Sequence, residues 1–245
     1  MSKKRHKDSG INWKKVIFYY IIFGFLLYKG AIFLFTTDYL ALREVSVDGF
    51  KVLSPNYIVS LAKLKPGVNL LLLDTSKIRQ NIKKNPWIED VTVKKRFFHG
   101  ISIIVKERTP FCILTNSKEG VVLNSRCIVL TKNIKKFPFL ETVVYKKIDF
   151  SKISLGKRIE NSLVCDTIYI VRVFKENFPN LLKKVEIIEE GYMRFYLKNG
   201  LTVIMGGSKD IKDKKKFLIL RKIIKTKAKY LKVLDLRYKK GIIGK

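Results

Sequence analysis

The longest apolar run lies near the start of the chain, residues 16–35, VIFYYIIFGFLLYKGAIFLF, interrupted only by Lys29. As a helix rising about 1.5 Å per residue it extends roughly 30 Å, the thickness of a bilayer's hydrocarbon core. Lys29 sits close enough to one end for its stem to snorkel. A buried helix rarely lacks polar residues on every face. A cleaved leader has a shorter apolar core and a small-x-small site, which Tyr39-Leu40-Ala41 supplies poorly. The pattern therefore predicts a retained membrane helix over residues 16–36. Before it, residues 1–15 carry Lys3, Lys4, Arg5, Lys7, Lys14 and Lys15 against Asp8 alone. That basic flank predicts a cytoplasmic N-terminus, with everything from residue 37 on the far side.

Past the helix the periods become those of a folded domain. Val45 and Val47 alternate with polar neighbours over 42–50, predicting a half-buried strand. Ser54-Pro55 is an N-cap followed by proline at the first helical position, and Ile58, Leu61 and Ala62 share a face until Pro66-Gly67. The short apolar stretch 68–73 reads as a segment crossing back over the core. Asp74-Thr75-Ser76 starts a second helix with Ile78 and Ile82 inward, ended by Asn85-Pro86. Strands follow over 87–98, carrying Val91 and Val93, and after His99-Gly100, with Ile101, Ile103 and Val105 on one face. The order is strand, helix, helix, strand, strand, a compact α+β unit. Trp87 is placed to close its helix–sheet core.

Pro110 marks a boundary. Short strands are expected at 111–115, 120–123 and 127–131, then a loop-rich stretch over 132–154. A helix from Asn161 carries Ile170, Val171, Phe174 and Phe178 at helical spacing. Strands at 185–188, 194–198 and 201–205 follow, the last two joined by the hairpin signal Asn199-Gly200. Next come a basic helix over 210–225, with Phe217, Leu220 and Ile224 inward, and a last strand over 231–238.

VSVDGF, PGVNLLLLD, NPWIEDVTVKKRF and ISIIVKERTP, met in that order after one N-terminal anchor, resemble the POTRA domain of the bacterial division family FtsQ/DivIB. The closing VLDLRYKKG is similar to that family's last strand. Between these stretches the likeness is of element order. The resemblance implies an α+β fold in four parts: a cytoplasmic tail (1–15), a transmembrane helix (16–36), a POTRA-like domain (37–110), and a mainly antiparallel β-domain with two helices (111–245).

Net charge is +31, from 51 Lys and Arg against 20 Asp and Glu. The excess is mostly lysine, spread along the chain without a zinc or RNA-binding motif, so nucleic acid is not the expected partner. A solvated basic surface that tolerates anionic lipid or wall polymers accounts for it. Cys112, Cys127 and Cys165 lack metal-ligand spacing. Cys112 and Cys127 fall on neighbouring predicted strands and can meet, while all three also fit as small core side chains. With His6 in the tail and His99 in a turn, no catalytic or metal set assembles. Glu186, Glu189 and Glu190 are expected at a strand end facing water. Gly206-Gly207-Ser208 reads as a strand-to-helix turn rather than an anion site.

No catalytic, cofactor or metal residue is therefore expected, and no small-molecule substrate. The resemblance implies a non-enzymatic divisome scaffold in the cytoplasmic membrane at the division septum, with partners of the FtsB/DivIC and FtsL type. A POTRA-bearing export or outer-membrane assembly component is the second reading, though that class normally continues into a β-barrel. Residues 231–238 are expected at a sheet edge, with too little chain after them for another strand. Alternation puts Leu234, Leu236 and Tyr238 on one face and Val233, Asp235 and Arg237 on the other. The expected partner-binding residues are Leu234, Leu236, Arg237, Tyr238 and Gly241. Asp235 and Arg237 fit either an ion pair or a partner contact.

Overall fold

The computed structural model describes residues 13–96, 100–188, 191–206, 214–226, 231–237 and 242–244. The basic tail with His6, and likewise Phe97, His99, Glu189, Glu190, Gly207-Ser208, the 210–213 start of the basic helix, Tyr238, Lys239, Lys240 and Gly241, lie outside them. The chain divides into two compact units, Met1–Asn81 with Thr92–Ile104, and Ile82–Val91 with Val105–Lys245.

In the first unit, α1 (Trp13–Thr36) buries no side chain and is long and apolar enough to cross a membrane. The POTRA-like order is present: β1 (Glu44–Asp48), α2 (Pro55–Ala62), α3 (Thr75–Lys83), β2 (Ile88–Arg96), β3 (Gly100–Glu107), with α3, β2 and β3 each divided between the two units. The sheet runs β1-β3-β2, with β1 parallel to β3. Local chemistry sets the helix starts. Ser54 Oγ accepts from the Tyr57 N–H at α2, and Asp74 Oδ1 from the Ser76 and Lys77 N–H groups at α3. Ile58, Ala62, Ile78, Ile101 and Ile103 are buried, as their spacing predicts. Gly100 adopts φ 135° where β3 begins, and a Cβ there would stand 1.9 Å from the Glu44 carbonyl oxygen.

The 68–73 stretch does not simply cross the core. Leu70 is buried, but Leu71 and Leu72 point outward. Asn69 anchors the stretch to the end of α1. Its Nδ2 donates to the Leu34 and Phe35 carbonyls at 2.8 and 3.1 Å, and its Oδ1 accepts from the Leu71 N–H at 2.9 Å. These carbonyls belong to the last turn, which lacks partners of its own. The Leu70 N–H donates to the Leu40 carbonyl and the Leu42 N–H to that of Val68, closing the loop onto the α1 exit.

The second unit is organised by one nine-stranded sheet, ordered β12-β11-β10-β9-β8-β7-β4-β5-β6. Its strands are β4 (Pro110–Thr115), β5 (Gly120–Asn124), β6 (Val129–Thr131), β7 (Thr142–Val144), β8 (Leu182–Ile187), β9 (Met193–Leu197), β10 (Thr202–Met205), β11 (Val233–Asp235) and β12 (Ile242–Gly244). Antiparallel pairs predominate, but β4·β7, β7·β8 and β10·β11 are parallel. A parallel neighbour needs a crossover. Two of these crossovers carry the helices, α4 (Ser162–Asn177) between β7 and β8 and α5 (Lys214–Thr226) between β10 and β11. Asn161 Oδ1 caps α4 through the Val164 N–H, and Phe174 stacks on Phe195 at 5.4 Å in the core. Leu220 of α5 is fully buried, whereas the side chain of Phe217 lies outside the described residues.

Three expectations are corrected. Residues 142–144, read as loop, form the strand between β4 and β8, because a three-residue strand buried among others carries no period of its own. Cys127 pairs with Cys165 rather than Cys112, which stays free and buried. Trp87 stacks on Phe137 at 5.7 Å, against Ile113, Val122 and Leu130, so it does not close a helix–sheet core. The ring is half-buried, and Trp87→Ala is expected to cost about 2 to 3 kcal/mol rather than the 3 to 5 of a fully buried aromatic. Urea denaturation of the full chain measures it.

Candidate functional site

Three of the residues singled out by sequence, Leu234, Leu236 and Arg237, lie on or just after β11, which runs between β10 and β12. The β10·β11 ladder pairs Thr202 with Val233, Val203 with Leu234 and Ile204 with Asp235. It is extended at both ends, by the Thr202 N–H donating to the Lys232 carbonyl and the Leu236 N–H to that of Ile204. β12 lies antiparallel on the other side of β11, pairing Val233 with Gly244 and Asp235 with Ile242. The expectation that residues 231–238 form the edge is therefore overturned. A strand of three residues is only about 10 Å long, and the few residues after 238 suffice for it. The outermost strand at this end is β12. Ile242-Ile243, a β-branched pair after Gly241, was the available signal.

The expected alternation along β11 is only partly seen, because Val233 is exposed but Asp235, expected on the same face, is buried. Leu234 and Leu236 are 0% and 1% exposed and belong to the main core, while Val233 is 36% exposed. Their side chains hold the strand in place and are not presented at the surface. Arg237 stands half-buried on the rim. Its Nη2 donates to Asp235 Oδ2 at 2.7 Å and its Nε to both carboxylate oxygens at 3.1 Å. The Asp235 Oδ1 also accepts from the Arg237 N–H, and the guanidinium lies 4.5 Å from the Tyr192 ring centre. Of the two readings of this pair, the ion pair forms. Its fork geometry fixes the guanidinium plane, leaving a cation held against an aromatic face. Tyr238 and Gly241 lie outside the described residues.

Other candidate groups are structural. Glu186 does not simply face water: Lys184 Nζ donates to its Oε1 and the Tyr196 hydroxyl to its Oε2, both at 2.7 Å. Burial pushes its carboxyl up, but those two donors together with the charges of Lys184 and Arg194 outweigh it and hold the carboxyl below its ordinary value. That stabilisation is present above the ordinary carboxylate range and is lost as pH falls through the lowered value. Burial pushes the Cys112 thiol up to about 12, so it stays protonated and inert. Beside β6 an open groove of about 530 Å³ is lined by Lys147, Lys152, Lys157 and Arg158 with Asp149 and Glu160. The Asp149 carboxylate is engaged by the Ser151 hydroxyl at 2.6 Å and N–H at 3.0 Å. Among the described residues no group of three or more His, Cys, Asp or Glu is placed to hold a metal.

Residues 40–108 match the family model of the POTRA domain, FtsQ-type. The chain is 26% identical over 184 residues to the cell division protein DivIB of Clostridium acetobutylicum, covering 72% of this chain and 71% of that protein. It is 34% identical over 95 residues to the cell division protein FtsQ of a Geobacter species, covering 36% and 35%. It is 30% identical over 103 residues to the FtsQ of Rickettsia bellii, covering 42% and 39%. The match thus spans about seven tenths of the DivIB but little more than a third of each FtsQ.

Proposed function

We propose that this chain, a member of the FtsQ/DivIB family of bacterial cell-division proteins by its POTRA domain and its curated relatives, is a non-enzymatic scaffold which binds and positions other membrane-anchored division proteins. One observation carries the proposal: β12, a strand of only three residues, is the outermost at its end of a nine-stranded sheet. An outer strand offers backbone N–H and C=O groups to an incoming strand. Arg237, fixed near that end, is already paired with Asp235, so the preference for an acidic partner segment rests on Lys232, Lys239 and Lys240 of the sequence around it. Partners of the FtsB/DivIC and FtsL type, small anchored coiled-coil proteins, fit this role. In this proposal residues 1–15 face the cytoplasm, and residues 37–110 and 111–245 are two binding modules outside it, gathered at midcell.

Binding of an FtsB/DivIC-like extracytoplasmic segment to the full chain, with and without Arg237→Ala and Tyr238→Ala, tests the site. A contact central to such an interface is expected to cost about 2 kcal/mol, roughly 30-fold in Kd. Unchanged affinity in both variants, with circular dichroism intact, moves the partner site elsewhere. Protease added to spheroplasts should digest the part after residue 37, and full protection refutes the orientation. A fluorescent fusion should gather at midcell, and depletion should leave filaments. An even distribution around the envelope instead favours an export component.

A further inference from the structure

We propose that the loop 68–73, together with Tyr39, is a lipid-contacting surface that rests in the headgroup layer of an anionic bilayer. It rests on α1 spanning the membrane and assigns a contact to residues beyond that helix.

The argument is one of reach. Asn69 holds the carbonyls of Leu34 and Phe35, in the last turn of α1, through its own buried carboxamide. If residues 16–35 cross the hydrocarbon core, those carbonyls lie at its boundary. Leu71 and Leu72 follow Asn69 by two and three residues, within about 10 Å of extended chain. The interfacial layer is itself about 5 to 8 Å thick on each side. Tyr39 lies only three residues past the helix end. These side chains therefore fall in or against the interface.

Their exposure and neighbours fit that place. Leu72 is 64% exposed and Tyr39 73%, while Leu70 between the anchoring contacts is fully buried. Two apolar tips and an aromatic ring with a polar end are the side chains that partition at the boundary of lipid and water. Cations are held beside them by main-chain contacts: Lys95 Nζ donates to the Leu71 carbonyl at 3.2 Å, and Arg43 Nη2 to that of Asp38 at 3.2 Å. Positive charge bordering an exposed apolar tip is complementary to anionic headgroups. The occupant is lipid, because the surface is continuous with a helix whose side chains are exposed along its whole length.

Single cysteines placed at Leu72, Tyr39, Leu27 and Phe139 in the full chain test this. Native Cys112 is buried and the other two are paired, so a polarity-sensitive label goes to the introduced thiol. The labelled proteins are reconstituted in phosphatidylcholine vesicles containing phosphatidylglycerol and a lipid spin-labelled near its headgroup. Labels on Leu72→Cys and Tyr39→Cys are expected to be quenched at least about threefold more than one on Phe139→Cys, an apolar side chain of the second unit that is also 73% exposed. Quenching at Leu72 is expected to fall when phosphatidylglycerol is left out. Leu72 quenching no greater than at Phe139, while a label at Leu27→Cys is quenched by deep spin-labelled lipid, overturns the proposal. An unquenched Leu27 label removes its premise as well. Protection of Leu72 from aqueous iodide without lipid quenching assigns the surface to a protein and also overturns it. Equal quenching with and without phosphatidylglycerol overturns the preference for anionic headgroups.

Discussion

Gly100→Ala is expected to remove about 3 to 5 kcal/mol from the first unit, from strain and overpacking together. At φ 135° the residue occupies backbone space open to glycine, and any side chain there is strained. The added Cβ would also meet the Glu44 carbonyl oxygen at 1.9 Å, far inside any non-bonded contact. That oxygen is main chain and cannot swing away as a flexible side chain would. Glu44 and Gly100 open the β1·β3 ladder, so relief means peeling β1 from its partner. Amide exchange over residues 44–48 of the full chain measures this. Exchange at least about a hundredfold faster is expected. Unchanged protection would mean that β1 tolerates the side chain, and would refute the steric account.

Loss of the Cys127–Cys165 bond is the second large effect. The closed loop spans 38 residues, for which the chain-entropy account gives about 4 kcal/mol. The bond joins the turn between β5 and β6, where Cys127 adopts φ 66°, to the first half of α4. The Cys127→Ser/Cys165→Ser variant should unfold at a clearly lower urea concentration than the parent. Reductant should lower the parent's midpoint and leave that of the variant unchanged. Three free thiols in the purified, unreduced parent would refute the pairing. A bond of this kind persists in oxidising compartments, which agrees with the proposed location of this unit outside the cytoplasm.

What could be read from sequence is what local chemistry decides. The α1 run, the Ser54 and Asn161 caps, the inward faces Ile58–Ala62 and Ile170–Phe174, and the strand–helix–helix–strand–strand order follow from spacing within a few residues. Asn199-Gly200 marked the right hairpin, but its loop is three residues long. The Leu197 N–H donates to the Leu201 carbonyl and the Gly200 N–H to that of Leu197, with Gly200 alone at positive φ. That is a type I turn closed by a glycine bulge. What escaped the reading depends on partners far along the chain. β7 is a strand only because β4 and β8 lie on either side of it. Cys127 finds Cys165 through the position of α4, and Trp87 finds Phe137 through the packing of the second unit. At the candidate site, Leu234 and Leu236 were assigned to the correct face of their strand. That this face is core, and that β12 covers β11, depends on the whole sheet.

The strand order of the second unit also bears on how the sheet is assembled in time. After the β4-β5-β6 meander, every strand is added on the same side in chain order, from β7 to β12. A chain delivered amino end first, from a ribosome or a translocation channel, can lay this sheet down as it emerges, each arrival docking on the last. No earlier strand has to wait for a later one to slip between two already paired. Both cysteines emerge before β8, so the bond can close on a half-built sheet. The outermost strand, β12, is the last of the described strands to arrive, so the edge proposed for partners forms only once the layers beneath it are in place.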